Sequence, residues 1–284
     1  MKTLEHRIVG VSAIKGILLP ALLAFTYYPT FVWMIERWAA RDSYYGHGFL
    51  IPCVSLYWIF KKRTKLAEVV REPDAWAMIP LALGGALQVA SSMMRIYFLS
   101  AFSLIFLLLG GVGFLFGRKI LRELLFPILF LILMIPLPLL VISEVTLKMK
   151  FFVAEIATRL IHQIGIRAVR EGSYIYTPSS AILVGDPCSG LRSLLAFLCL
   201  GLVIAYESNI SFWKKAVLVA SGVPLALISN IGRVFAMGVL GEIYGMQITT
   251  GAVHDASGLG VFLVAFVLFL GIRKKLEALH APAG

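Results

Sequence analysis

The sequence predicts an all-α fold, a polytopic helical membrane protein formed as a single integral membrane domain over residues 1–284. Three observations carry that reading. Hydrophobic residues make up 60% of the chain and charged ones only 14%, with a mean hydropathy of +0.89. A water-soluble core cannot hide that much apolar surface. Apolar runs of about 20 residues recur along the chain, each long enough to cross about 30 Å of hydrocarbon as a helix. Between them Lys and Arg gather in short clusters, so the formal charge of +11 needs no nucleic-acid partner.

Eight membrane helices are expected. The first covers Val9–Ile35. A basic stretch precedes it as in a signal peptide, but no small-residue cleavage site follows, so an uncleaved helix is predicted. The second, His47–Phe60, is short. The third is Trp76–Met94 and the fourth Tyr97–Phe116. The fifth is Leu124–Ile142, where Pro136 and Pro138 predict a kink or an end. The sixth is Cys188–Tyr206, the seventh a long Trp213–Tyr244, and the eighth His254–Ile272.

Orientation follows from the basic clusters. Lys61, Lys62, Arg63 and Lys65 follow the second helix, and Arg118, Lys119 and Arg122 follow the fourth. Lys214 and Lys215 precede the seventh, and Arg273, Lys274 and Lys275 follow the eighth. Eight crossings with the N-terminus inside put all of them on one face, which predicts a plasma (inner) membrane protein with both termini cytoplasmic. The long connection Glu144–Asp186 then lies outside. Within it, Lys148–Ile164 alternates charged and apolar residues at helical spacing, as an interfacial amphipathic helix does. The stretch Glu171–Gly185 alternates like a strand pair around Thr177-Pro178-Ser179-Ser180, predicting a short outer hairpin.

Three polar residues then reach one depth. Cys188 opens the sixth helix and His254 the eighth, both on the outer side. Arg233 lies 19 residues past Lys214, about 28 Å along a helix, nearly one hydrocarbon thickness. A thiol, a guanidinium and an imidazole at one level make a candidate catalytic site. A helix N-terminus or a nearby cation lowers a thiol pKa, and Arg192, one turn after Cys188, is such a cation. Arg233 stays protonated, so its fitting role is to hold an oxyanion. His254 suits proton transfer to a leaving amine. Asn230, one turn before Arg233, is placed to bind substrate backbone or to orient the guanidinium. Ser189 and Gly190 would let a substrate backbone approach. His47 and Asp186 are supporting candidates, whereas Asp255 reads as a helix cap.

Cys199 lies about 16 Å deeper than Cys188 and cannot bond to it, so it reads as a small apolar residue, as does Cys53. No His-Glu-x-x-His helix, paired Cys-x-x-Cys or Gly-rich phosphate loop appears, so no metal and no cofactor is expected. Two function classes remain: a membrane-embedded cysteine enzyme, and a non-catalytic membrane protein of transport or assembly. A transporter places its polar residues near the bilayer midplane, whereas here they cluster at one face.

The sequence resembles the exosortase/archaeosortase family. The matching pieces are Cys188–Leu194 (CSGLRSL), Ser229–Val234 (SNIGRV), His254 after them, and Gly46–Arg63 near the start. The resemblance spans about Tyr45 to Arg273. Asp186-Pro187 departs from the Glu-Ala expected before the cysteine. The resemblance implies a membrane cysteine transpeptidase with Cys188 as nucleophile, Arg233 as oxyanion or substrate arginine, and His254 as acid/base. It also implies the partners: exported proteins carrying a C-terminal motif, a transmembrane helix and a basic tail, met within membrane lipids. A histidine in the third position points to the bacterial side of the family, and for the non-catalytic alternative the resemblance implies assistance to surface polysaccharide export or assembly.

Overall fold

The computed structural model describes residues 2–40, 43–245 and 252–279. They form ten α-helices and one small sheet, packed as two compact units, Met1–Leu137 and Pro138–Gly284.

In the first unit α1 (Lys2–Ala39) is one long helix that continues through Pro20 and Pro29. Tyr27, Thr30, Met34 and Trp38 form its buried stripe, at the three- and four-residue spacing of one helical face. After a 3₁₀ turn at Gly46–Phe49 come α2 (Leu50–Lys61) and the short α3 (Arg63–Glu68). The hairpin α4 (Met78–Met94) and α5 (Tyr97–Phe116) is closely packed, because Gly84 lies against Leu107 and Gly110 against Leu81.

The helix α6 (Arg118–Phe130) runs into a 3₁₀ turn at Leu131–Met134 and stops. The fifth predicted helix therefore does not continue to Ile142. Ile135, which precedes Pro136, is extended at ψ 115°, and the helix resumes only at Leu139 as α7. The loosened end of α6 is tied by side chains. Leu131 bonds back to Ile128 and Leu129, and Ser55 Oγ donates to the carbonyl of Pro127 at 2.9 Å. Trp38 Nε1 donates to the carbonyl of Met134 at 2.8 Å.

In the second unit α7 (Leu139–Gln163) is one 25-residue helix, longer than the amphipathic segment predicted from Lys148. Its buried residues Val153, Ala154, Ala157 and Ile161 face the sheet and α9. The expected hairpin is present and gains a third strand: β1 (Val169–Glu171), β2 (Tyr174–Tyr176) and β3 (Ala181–Leu183) form an antiparallel meander. Its β2–β3 turn lies at Thr177–Ser180, and Glu242 ties that turn to the end of α9 by accepting from Ser179 N at 3.0 Å. The helices α8 (Leu191–Glu207), α9 (Phe212–Tyr244) and α10 (Ala252–Ala278) complete the unit. Phe197 of α8 packs against Phe262 and Phe269 of α10, and Gly222 of α9 makes room beside it.

Among the described residues, four helical spans are long and apolar enough to cross a membrane: Ala75–Met94, Tyr97–Phe116, Phe212–Tyr244 and Ala256–Ala278. The bent pair around Ile135–Pro138 makes a fifth if it acts as one span. On α10, Leu263, Val264, Val267 and Leu268 are all more than half exposed, an apolar face that suits lipid. The protein is a helical polytopic membrane protein.

Candidate active site

Cys188 does not begin a helix. It ends a 3₁₀ turn, Asp186–Cys188, and α8 starts only at Leu191. The reason is Gly190, which sits in the left-handed region at φ +85° and separates the two. Cys188 N–H donates to Gly185 O, and Ser189 Oγ donates to Asp186 O while accepting from Leu191 N–H. Ser189 is fully buried, so it holds the turn together and presents no open face to a substrate.

The helix α9 supplies the opposite wall. Asn230 and Arg233 lie one turn apart and are both buried, at 6% and 9% exposure. Asn230 Nδ2 donates to the backbone carbonyl of Cys188 at 2.5 Å. The space beside Gly190 is filled by that same asparagine: a Cβ at Gly190 would meet three of its atoms at 3.2 Å. Gly190 thus admits Asn230, in place of the substrate backbone expected from the sequence.

Arg233 is positioned by α10. Its Nε donates to Ser257 Oγ at 3.2 Å, and its guanidinium lies on Gly258, where a Cβ would come within 3.0 Å of Cζ. Neither Ser257 nor Gly258 was singled out from the sequence. The available signal was their spacing from His254, three and four residues along one helix. His254 falls in the first turn of α10; its side chain lies outside the described residues.

Electrostatics at the thiol run against the expected direction. Cys188 is buried among Val153, Ala157, Ile161, Val184 and Val234. That burial raises its pKa above the ordinary thiol value. The charge of Arg233 and the backbone of Gly185 pull the other way and do not overcome it. Arg192 contributes nothing to this balance, because it is exposed on the first turn of α8. The thiol sits in the turn outside the helix, so the helix N-terminus expected to activate it is displaced by three residues.

The remaining candidates have other side-chain partners. Asp186 is largely exposed and ion-paired with Lys150 of α7. His47 belongs to the first unit, where it packs on Tyr45 with ring centroids 5.8 Å apart. Burial there lowers its pKa. Among the described residues no group of His, Cys, Asp and Glu is arranged to hold a metal ion.

A buried thiol, a buried cation beside it and an amide bonded to the cysteine backbone are groups that acyl transfer can use. No curated protein and no solved structure matches the chain. The family model for the transmembrane exosortases matches residues 33–271, which takes in most of each unit and every residue of this group, and the chain therefore belongs to the transmembrane exosortase family.

Proposed function

We propose that this protein is a membrane-embedded cysteine transpeptidase or protease that processes the C-terminal sorting signal of exported proteins. The observation that carries the reading is the convergence of Cys188, Asn230 and Arg233 in one buried group. The substrate helix packs laterally in the bilayer, its scissile bond at the outer face and its basic tail inside.

Cys188 Sγ attacks the carbonyl carbon of the scissile peptide. The carbonyl π electrons move onto oxygen, and Arg233 holds the charge that develops there. The raised thiol pKa means that the nucleophile waits protonated, so its proton must leave as the substrate binds. His254 takes that proton and gives it to the departing amine, leaving a thioester on Cys188. An acceptor amine or water then attacks the thioester and restores the thiol. Asn230 positions the cysteine backbone during both attacks.

The test is co-expression with a reporter carrying a C-terminal tail of motif, transmembrane helix and basic cluster. Wild type should shorten the reporter, and Cys188→Ala at matched expression should not. Mass spectrometry of the product then separates transfer from hydrolysis. Shortening that persists in Cys188→Ala would sink the mechanism.

A further inference from the structure

The first unit holds a polar pocket of about 250 Å³ that no step assigned to Cys188 involves. It lies among α1, α4 and α5, and its walls include Thr26, Thr30, Gln88, Ser92, Arg95 and Tyr97.

A hydroxyl network forms its floor. Thr30 Oγ1 and Ser100 Oγ are 2.6 Å apart, and Tyr27 OH and Ser103 Oγ are 2.7 Å apart. Gln88 Oε1 accepts from Ser100 at 2.7 Å and from Ser103 at 3.0 Å. These bonds commit the amide oxygen. The amide nitrogen keeps one long contact, 3.5 Å to the carbonyl of Thr26, and retains donor capacity.

Arg95 stands at the rim. It ends α4 at φ +55°, the only non-glycine residue at positive φ among the described residues. That conformation caps the helix, with the backbone N–H groups of Arg95 and Ile96 both donating to Ser91 O, and it turns the chain at the edge of the pocket. Its guanidinium makes no hydrogen bond or ion pair among the described residues.

Among the described residues no carboxylate lines the pocket. Its free chemistry is donors: the guanidinium, the amide nitrogen and the hydroxyls of Thr26, Ser92 and Tyr97. A donor-rich wall without an acid fits an oxyanion. The flanks are apolar and open: Leu22, Phe25, Val89 and Met93 are all more than half exposed. An oxyanion joined to acyl chains satisfies both surfaces, whereas free phosphate uses only one.

We propose that this pocket binds the phosphate of a phospholipid headgroup, with Arg95 as its charge partner and Gln88 and Tyr97 as neutral donors. The test uses the detergent-purified full chain with added phosphatidylglycerol, the retained lipid being counted by native mass spectrometry. Diacylglycerol serves as the phosphate-free comparison and inorganic phosphate as the chain-free one. Wild type should retain phosphatidylglycerol in preference to both. Arg95→Gln should weaken retention by about tenfold or more, the loss expected for a charge-assisted hydrogen bond. Arg95→Lys should fall between, because it keeps the charge and loses the planar fork. Arg118→Gln, a basic residue outside the pocket, should bind as wild type does. Unchanged melting temperatures would show that all variants fold. Equal retention by wild type and Arg95→Gln, equal retention of diacylglycerol, or inorganic phosphate binding as tightly as the lipid would each overturn the proposal.

Discussion

Asn230 and Cys188 are 42 positions apart, yet the amide of one donates to the backbone carbonyl of the other at 2.5 Å. The bond joins α9 to the turn that carries the thiol. It leaves the thiol itself uncommitted to Asn230 while fixing the backbone from which it projects. Asn230→Ala strands a buried carbonyl without its donor, which costs about 1–3 kcal/mol. A fall in melting temperature together with slower reporter processing is expected. An unchanged melting temperature would mean that the carbonyl finds water, and that the clamp is dispensable.

Gly190→Ala tests the same clamp from the other side. A side chain in the left-handed region costs about 1–2 kcal/mol. The new methyl would also press on Asn230, whose Cβ, Cγ and Nδ2 lie 3.2 Å from its position. Processing should fall further than the stability loss alone explains, because the Asn230–Cys188 bond moves with it. Thermal melts and initial processing rates, compared across Gly190→Ala and Asn230→Ala, decide this. A melt indistinguishable from wild type would contradict the strain argument.

Arg233→Gln keeps hydrogen-bonding capacity and removes charge. If the guanidinium holds the oxyanion, the processing rate should drop by about 10²–10³, the usual loss for one such donor. Arg233→Lys should rescue only in part, since an ammonium cannot reproduce the planar contact on Gly258 and the bond to Ser257. Full activity in Arg233→Lys would show that charge alone suffices.

The ion pair between Lys150 and Asp186 provides a contrast. Asp186 is 62% exposed and Lys150 18%. Solvent screens such a pair, so Asp186→Asn should shift stability by less than about 1 kcal/mol and leave processing near wild type. A large loss of processing with an unchanged melt would instead place Asp186 in the chemistry.

Much of the helical framework was legible because membrane helices declare themselves by length. The runs Tyr97–Phe116 and Trp213–Tyr244 lie within one residue of α5 and α9. The break at Ile135–Pro138 was visible in its two prolines. The helix α7 was shortened in the reading, because Glu144, Lys148 and Lys150 interrupt the apolar pattern, although a regular backbone tolerates them. The strand β1 was missed because Arg170 and Glu171 hide it; its pairing with β2 supplies what its side chains do not. Of the candidate site, the residue types were readable and their partners were not. Nothing local says that Gly190 takes a positive φ, that Asn230 reaches the Cys188 carbonyl, or that α10 seats Arg233 through Ser257. These contacts exist only once the helices pack.

The protonation of Cys188 gives the sharpest solution test. Burial raises the thiol pKa, and Arg233 opposes it only in part. At neutral pH the group should therefore be a thiol, and an alkylating reagent should react slowly. In a Cys53→Ser, Cys199→Ala background the labelling rate should climb with pH and continue climbing above the ordinary thiol range. Arg233→Gln removes the lowering charge, so its profile should move to still higher pH. The sign for stability follows. A pKa higher in the folded state contributes stability in full below the unfolded value, and loses it as pH rises through the folded value. Cys188→Ala should accordingly flatten the alkaline fall in melting temperature relative to the same background. Fast labelling at neutral pH, with a plateau below the ordinary thiol range, would show that the thiolate preexists. The proton transfer assigned to His254 would then not be needed for the first attack.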